Sequence, residues 1–130
     1  MKTTVQGNIG LGHAIAYFTS RRWTVSIPLN DSQKYDLLVD AGTKIYKVQV
    51  KTSRQVKPSG NFEVYIRQNG RYTSVPFDKA ASDLLFVLCS DGSQYLIPCS
   101  SLKSGARITI GPGSEFLIGE DERTGSFARL

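Results

Sequence analysis

The stretch KYDLLVDAGTKIYKVQVKTS, residues 34–53, decides the fold because its pattern predicts two strands joined by a short loop. Apolar residues recur at every second position, at Leu37 and Val39 in the first half and at Val48 and Val50 in the second. Side chains of a strand point alternately to its two faces, so these positions form one apolar face. The sequence therefore predicts a β-hairpin that packs one face against a hydrophobic core.

The opposite face of the same hairpin is polar. Its side chains are those of Asp36, Asp40, Lys47, Gln49 and Lys51. If residues 41–44 form a four-residue loop, Asp36 lies directly across from Gln49, and their Cβ atoms are about 4.5–5.5 Å apart. A two-residue loop would instead place Asp36 opposite Lys47, with Gln49 as a diagonal neighbour. Either register brings a carboxylate and an amide close together.

This polar face has two interpretations. Two oxygen-bearing side chains at that separation can share one Mg²⁺ ion, whose oxygen ligands lie about 2.0–2.1 Å from the metal. An Asp opposite a Gln, with Lys51 one step further along, is also common on the solvated face of an ordinary hairpin. The residues of the hairpin leave both interpretations open, and the rest of the chain has to decide between them.

Length and composition limit the class of protein. With 130 residues and 40% hydrophobic residues, we expect a single domain spanning 1–130 with a genuine core. Lys and Arg outnumber Asp and Glu by 16 to 11, a net charge of +5 that suits a polyanionic partner. No apolar run is long enough to cross a membrane, and no secretory signal is visible, so a cytoplasmic location is expected. Cys89 and Cys99 show no metal-ligand spacing and are predicted to be reduced, buried thiols.

The remainder of the chain supplies one predicted helix and several strands. Asn8 is a possible helix cap, and Leu11, Ile15 and Phe18 follow at helical spacing, which predicts a helix of about four turns. The hairpin strands are expected at 35–40 and 45–52. The other predicted elements are a strand at 23–27, a third hairpin strand at 62–67, a short helix at 77–82, a strand buried on both faces at 84–89 and its antiparallel partner at 94–98. The tail after residue 105 predicts one or two weak strands.

Three segments resemble one known family. These are GNIG at 7–10, IPLNDSQKYDLLVD at 27–40 and YKVQVKTS at 46–53. Together they resemble the PD-(D/E)XK nuclease superfamily, and within it the small homing endonucleases of bacterial group I introns, whose (D/E)xK element is written QxK. The resemblance implies an α/β (α+β) fold with a restriction-endonuclease-like core, in which an N-terminal helix packs on a mixed central β-sheet.

The resemblance also implies roles for individual residues. Asp36, the amide oxygen of Gln49 and the backbone carbonyl of Val50 would bind Mg²⁺ or Mn²⁺, and Lys51 would stabilise the attacked phosphate. Related sequences carry a glutamate of the metal site right after the glycine-rich element of the first helix. Leu11 stands at that position here, so Asp36 is the one carboxylate left in the implied set. Either cleavage is impaired, or other residues complete the metal site.

Basic residues near the hairpin are candidate contacts to DNA. They are Lys47, Arg54, Lys57, Arg67 and Arg71. Basic side chains on a two-stranded ribbon suit the major groove, where phosphate contacts position the protein. Each of them is equally compatible with a solvated surface charge.

The function expected from these observations is metal-dependent hydrolysis of phosphodiester bonds in double-stranded DNA by a site-specific homing endonuclease. Cutting both strands takes two active sites, so a homo-oligomer, either a dimer or a tetramer, is expected. A bacterium or a phage is expected to encode it, and its location is expected to be cytoplasmic. Two alternatives remain open within DNA metabolism, a catalytically inactive DNA-binding module and a nuclease similar to Holliday-junction resolvases. A purely structural β-rich protein is a third alternative.

Overall fold

The computed structural model describes residues 3–30, 33–69 and 73–119. A long helix, α1, spans Thr3–Ser20 and is followed by strands and one short 3₁₀ turn. The strands are β1 (Thr24–Ser26), β2 (Leu37–Asp40), β3 (Ile45–Ser53), β4 (Gln55–Val56), β5 (Phe62–Tyr65), β6 (Gln68–Asn69), β7 (Ser74–Val75), β8 (Leu84–Cys89), β9 (Gln94–Pro98) and β10 (Arg107–Ile110). The 3₁₀ turn, Cys99–Ser101, follows β9 directly.

The main sheet has five strands in the order β1-β2-β3-β8-β9. Its neighbours are antiparallel except β3 and β8, which run parallel. Parallel neighbours require a long connection, and here the whole segment between residues 53 and 84 supplies it. The sheet is therefore mixed, and α1 packs against one of its faces, as the sequence predicted.

Strand β8 lies in the interior of the sheet and contributes to two separate hydrophobic clusters. Phe86 and Leu88 pack with α1 and the hairpin strands. Leu85, Val87 and Cys89 point to the other face and pack with the β5 and β10 side of the molecule. This arrangement confirms that the unbroken apolar run is buried on both faces.

The segment predicted as a third hairpin strand belongs to a different sheet. Strand β5 pairs with β4 and β10 in a three-stranded sheet and is not hydrogen-bonded into the main sheet. Its register pairs Val64 with Ile108 and Phe62 with Ile110. The predicted strand is present and forms a short hairpin with β4, but its longer partner is β10, more than forty residues further along the chain, so it does not extend the main sheet.

Helix α1 begins at Thr3, five residues before the predicted cap at Asn8, which is an exposed residue inside the helix. Gly10 explains how closely this helix approaches the sheet. A Cβ atom on Gly10 would lie 2.5 Å from Thr52 Cγ2 and 3.4 Å from Val50 Cγ1. Contact with β3 thus outweighs the low helix propensity of glycine at this position.

The short helix predicted at 77–82 is not present. Residues 79–81 form a turn and not the predicted helix, because the Asp78 carboxylate accepts the Ala80 N–H at 2.9 Å and the segment does not continue beyond one turn.

Cys89 and Cys99 are free and buried, as the sequence predicted, and burial raises the pKa of both thiols to about 11. No helix within the described residues is both long and apolar enough to cross a membrane.

Candidate active site

The candidate site is built around the pairing of β2 with β3. Asp40 pairs with Ile45 and Leu37 with Val48, so residues 41–44 form the four-residue loop. Asp36 leaves this register, because its N–H donates to the Val48 carbonyl at 2.8 Å although Val48 is already paired with Leu37. The four-residue loop of one of the two predicted registers is therefore confirmed, and Asp36 lies at the end of the ladder with its side chain next to Gln49.

The side chains of this pair are in direct contact. Gln49 Nε2 donates to Asp36 Oδ2 at 2.9 Å, and the backbone N–H of Val50 donates to the same oxygen at 2.7 Å. Within a strand the N–H and C=O of one residue point to the same edge. The Val50 carbonyl consequently faces the edge at which Asp36 lies, just beyond the start of β2.

Charge and burial oppose each other at this site. Burial raises the pKa of Asp36, while the hydrogen bond from the Val50 N–H and the charge of Lys51 act in the opposite direction. Burial lowers the pKa of Lys51, and the charge of Asp36 opposes that change. Both charged groups are therefore incompletely compensated, and a cation at Asp36 or an anion at Lys51 would offset the loss of hydration.

Lys51 is on the same face of β3 as Gln49, the face turned away from α1. Its Nζ donates to the backbone carbonyl of Arg67 at 3.2 Å. Further along that face, Ser53 Oγ donates to the Glu63 carbonyl of β5. The polar face of β3 thus opens towards the segment 63–68 and lies opposite the helix-packed side of the sheet.

Gln68 belongs to the site although the sequence did not identify it. Its side chain, 9% exposed, donates to Gln49 Oε1 at 3.2 Å and to the Lys34 carbonyl at 3.1 Å. Its own Oε1 accepts the Asp78 N–H at 3.2 Å. No local pattern marks this residue, because the contact joins segments that are 19 residues apart and Gln68 lies in an irregular stretch.

The geometry tests whether a divalent metal fits here. The carboxylate of Asp36 and the carbonyl of Val50 are oxygen ligands of the type Mg²⁺ prefers. The amide of Gln49 is turned with its nitrogen towards Asp36 and its oxygen towards Gln68, so it would become a third ligand only after rotation. Within residues 3–30, 33–69 and 73–119, no three His, Cys, Asp or Glu side chains form a group that would hold a metal ion. A metal would therefore depend on Asp36 and on neutral oxygens.

Leu11 lies on α1, partly buried against the apolar cluster between the helix and the sheet. A Cβ atom on the neighbouring Gly10 would lie 3.4 Å from Val50 Cγ1, and the Val50 N–H binds Asp36, so this turn of the helix lies behind the candidate site. Helix α1 has no Asp or Glu anywhere along its length. The helix therefore contributes packing, and no carboxylate, to this region.

The predicted DNA contacts occupy different surroundings. Lys47 is exposed, with its ammonium 5.6 Å from the centroid of the Tyr35 ring. Lys57 Nζ donates to Thr109 Oγ1 at 3.2 Å, and the Arg67 guanidinium donates to both the hydroxyl and the carbonyl of Ser74. Arg54 is exposed at the end of β3, and Arg71 lies outside the described residues.

Comparisons with known proteins identify the family to which this chain belongs. The model of the PD-(D/E)XK endonuclease family matches residues 1–112, and the chain belongs to that family. Among solved structures it is similar to the bacterial homing endonuclease I-Ssp6803I, with a TM-score of 0.75 and 26% sequence identity over 88% of this chain and 82% of that one. A search of curated proteins finds no match. The helix on a mixed five-stranded sheet is thus a restriction-endonuclease-like fold of the homing endonuclease type.

Proposed function

We propose that this chain is a divalent-metal-dependent DNA endonuclease that hydrolyses phosphodiester bonds in duplex DNA at a specific site, as a homing endonuclease does. The observation that carries the proposal is the partly buried Asp36 carboxylate, held next to the Val50 backbone and coupled to the charge of Lys51. The family match over residues 1–112 supports reading this cluster as the catalytic hairpin.

Asp36 and the Val50 carbonyl are the proposed ligands of Mg²⁺ or Mn²⁺, joined by Gln49 if its amide rotates. When bound, such an ion polarises a phosphoryl oxygen and lowers the pKa of an attacking water. Lys51 is proposed to face the scissile phosphate, where its ammonium offsets the negative charge that develops in the transition state. Burial lowers the pKa of Lys51, and an anion at its ammonium would offset that loss of hydration.

The duplex is proposed to contact the basic residues around this face. Lys47 shares the face of Gln49 and Lys51, and Arg54 follows at the end of the same strand. Lys57, Arg67 and Arg71 are the further candidates. Since one chain supplies one site and a duplex has two strands, we infer that two or four copies assemble on the target.

Leu11 limits the activity that we expect. A carboxylate on the first helix would share the charge of the metal with Asp36, and Leu11 cannot do this. Metal binding is therefore proposed to be weak and cleavage slow. The lack of any acid along α1 also favours a second candidate function, a DNA-binding module that has lost cleavage.

The test is cleavage of supercoiled plasmid with Mg²⁺, with Mn²⁺ and with EDTA, using the wild-type protein, Leu11→Glu and Asp36→Asn. We expect Leu11→Glu to cut the plasmid in the presence of Mg²⁺ or Mn²⁺ and not in EDTA. The double variant, Leu11→Glu with Asp36→Asn, should not cut it. If neither wild type nor Leu11→Glu cuts but both bind duplex in a salt-sensitive way, the binding module is correct. If neither protein cuts or binds DNA, the proposal fails.

A further inference from the structure

Gln68 uses all of its amide hydrogens within the protein. One Nε2 hydrogen is donated to the Lys34 carbonyl at 3.1 Å and the other to Gln49 Oε1 at 3.2 Å. Its Oε1 accepts the Asp78 N–H at 3.2 Å. A primary amide has two donor hydrogens, so both are engaged by these partners.

The orientation of this amide follows from its backbone partners. A carbonyl can only accept a hydrogen bond and a backbone N–H can only donate one. Turning the Gln68 amide over would place its oxygen against the Lys34 carbonyl and its nitrogen against the Asp78 N–H, and both contacts would be repulsive. The assignment of nitrogen and oxygen, which usually has to be inferred for a glutamine, is fixed here by groups with one possible role.

The orientation is passed on to Gln49. Because Gln68 presents a donor and the Asp36 carboxylate an acceptor, Gln49 directs its oxygen towards Gln68 and its nitrogen towards Asp36, as the 2.9 Å bond shows. We propose that Gln68 is a positioning residue that holds the Gln49 amide as a hydrogen-bond donor to Asp36 and thereby withholds the Gln49 oxygen from a cation at that carboxylate. The part of this inference that concerns the cation rests on the proposed function, whereas the orientation does not.

Metal ligation by Gln49 then has a specific consequence. For Gln49 Oε1 to turn towards Asp36, the hydrogen bond from Gln68 must break, and a buried Nε2 hydrogen of Gln68 loses its acceptor. Gln68 therefore opposes ligation, and removing its donor should strengthen binding of a divalent ion. A side chain that only filled space beside Gln49 would have no such effect on the binding of a divalent ion.

The orientation is tested in metal-free protein by NMR. Gln49 Nε2 and the Val50 N–H donate to the same oxygen, so their protons should show a nuclear Overhauser effect in the wild type. Gln68→Glu replaces the donor with an acceptor of the same shape, which competes with Asp36 for the Gln49 nitrogen and should therefore weaken this signal. Ser82→Ala is the matched control, because Ser82 donates to the same Lys34 carbonyl at 3.3 Å without touching Gln49. The control should retain the signal.

The consequence for a cation is tested with Mn²⁺, whose affinity is measured by electron paramagnetic resonance without DNA. Gln68→Met, which removes the donor without adding charge, should tighten Mn²⁺ binding about fivefold, the effect of one ordinary hydrogen bond. The same substitution in a Gln49→Met background should have no effect, since the residue through which Gln68 acts is gone.

These measurements separate the inference from the function on which it partly rests. If the wild type lacks the signal between Gln49 and Val50, or if Gln68→Glu retains it at full strength, the positioning role of Gln68 is overturned whether or not the protein cuts DNA. An equal gain in Mn²⁺ affinity with and without Gln49 also overturns it. If no variant binds Mn²⁺ while the NMR result holds, the metal-dependent function fails and the orientation stands.

Discussion

Gln49 donates its side-chain amide to Asp36 across the β2–β3 hairpin, with 2.9 Å between Nε2 and Oδ2. The Val50 N–H reaches the same oxygen, so two neutral donors face a carboxylate that burial has deprived of much of its hydration. Neutral donors compensate such a charge only in part, and the pKa of Asp36 remains raised. The site is thus a carboxylate for which a cation would be a better partner than the donors it has.

The raised pKa of Asp36 predicts how stability changes with pH. The pKa of Asp36 in the folded protein lies above its ordinary value of 3.8, so the folded protein binds the carboxyl proton more tightly than the unfolded chain does. The contribution of Asp36 to stability therefore falls as pH rises through the folded-state pKa. Asp36→Asn removes this term. The free energy of unfolding of Asp36→Asn minus that of the wild type should therefore increase with pH, as measured by urea unfolding between about pH 3 and about pH 7. A difference that is flat or decreasing would contradict the desolvated carboxylate.

Lys51 should matter for the chemical step more than for DNA binding. In the Leu11→Glu background, Lys51→Met should lower the cleavage rate by about 10²–10³-fold, because it removes a charge that stabilises the transition state. Lys47→Met is the matched control, since Lys47 lies on the same face of β3 but is exposed. It should weaken duplex binding and leave the rate at saturating protein nearly unchanged. If both variants lowered the single-turnover rate equally, Lys51 would not be the residue that stabilises the transition state.

Much of this hairpin could be predicted from the sequence because its determinants are local. Alternation along one strand fixes which side chains share a face, and the length of the loop fixes the register, so the contact between Asp36 and Gln49 followed from the 41–44 loop. The apolar run of β8 likewise carries its own burial pattern.

Contacts between distant segments could not be predicted in the same way. The partner of β5 is β10, and Gln68 meets Gln49 from another part of the chain. A single glutamine beside a turn carries no periodicity that would indicate its partner. The orientation of Gln49 was therefore hidden from the sequence, although its position was not.

The close approach of α1 to β3 predicts opposite effects for two glycines of one helix. A Cβ on Gly10 would meet Thr52 Cγ2 at 2.5 Å, and Thr52 is held by a 2.7 Å hydrogen bond from Gln6, so Gly10→Ala should destabilise the protein by about 1–3 kcal/mol. Gly12 has nothing within 4 Å of the corresponding position. Gly12→Ala should stabilise by about 0.5–1 kcal/mol through helix propensity alone.

Chemical denaturation of both variants measures this contrast, and Gly10→Ala combined with Thr52→Ser should recover part of the loss, because the obstructing methyl group is removed. A stabilising Gly10→Ala would show that the helix is further from the sheet than described.

Leu11→Glu should raise cleavage while lowering stability. The side chain of Leu11 packs partly buried against the cluster between α1 and the sheet, so a charged replacement should destabilise the fold by about 1–3 kcal/mol. The same carboxylate, on the turn of the helix that contacts Val50 next to Asp36, would supply a second anionic ligand and tighten metal binding. Mn²⁺ affinity and plasmid cleavage should both increase.

Ile15→Glu separates these two effects. Ile15 lies one turn further along the same stripe of α1 and is also partly buried against the same cluster. Its replacement should therefore destabilise the protein by a similar amount without increasing Mn²⁺ affinity or cleavage. If Ile15→Glu increased cleavage as much as Leu11→Glu, a nonspecific effect of an added carboxylate would account for both. If Leu11→Glu lost stability but gained neither metal affinity nor cleavage, position 11 would be a packing position alone, and the weakness of the site would have to lie in Gln49 and Gln68.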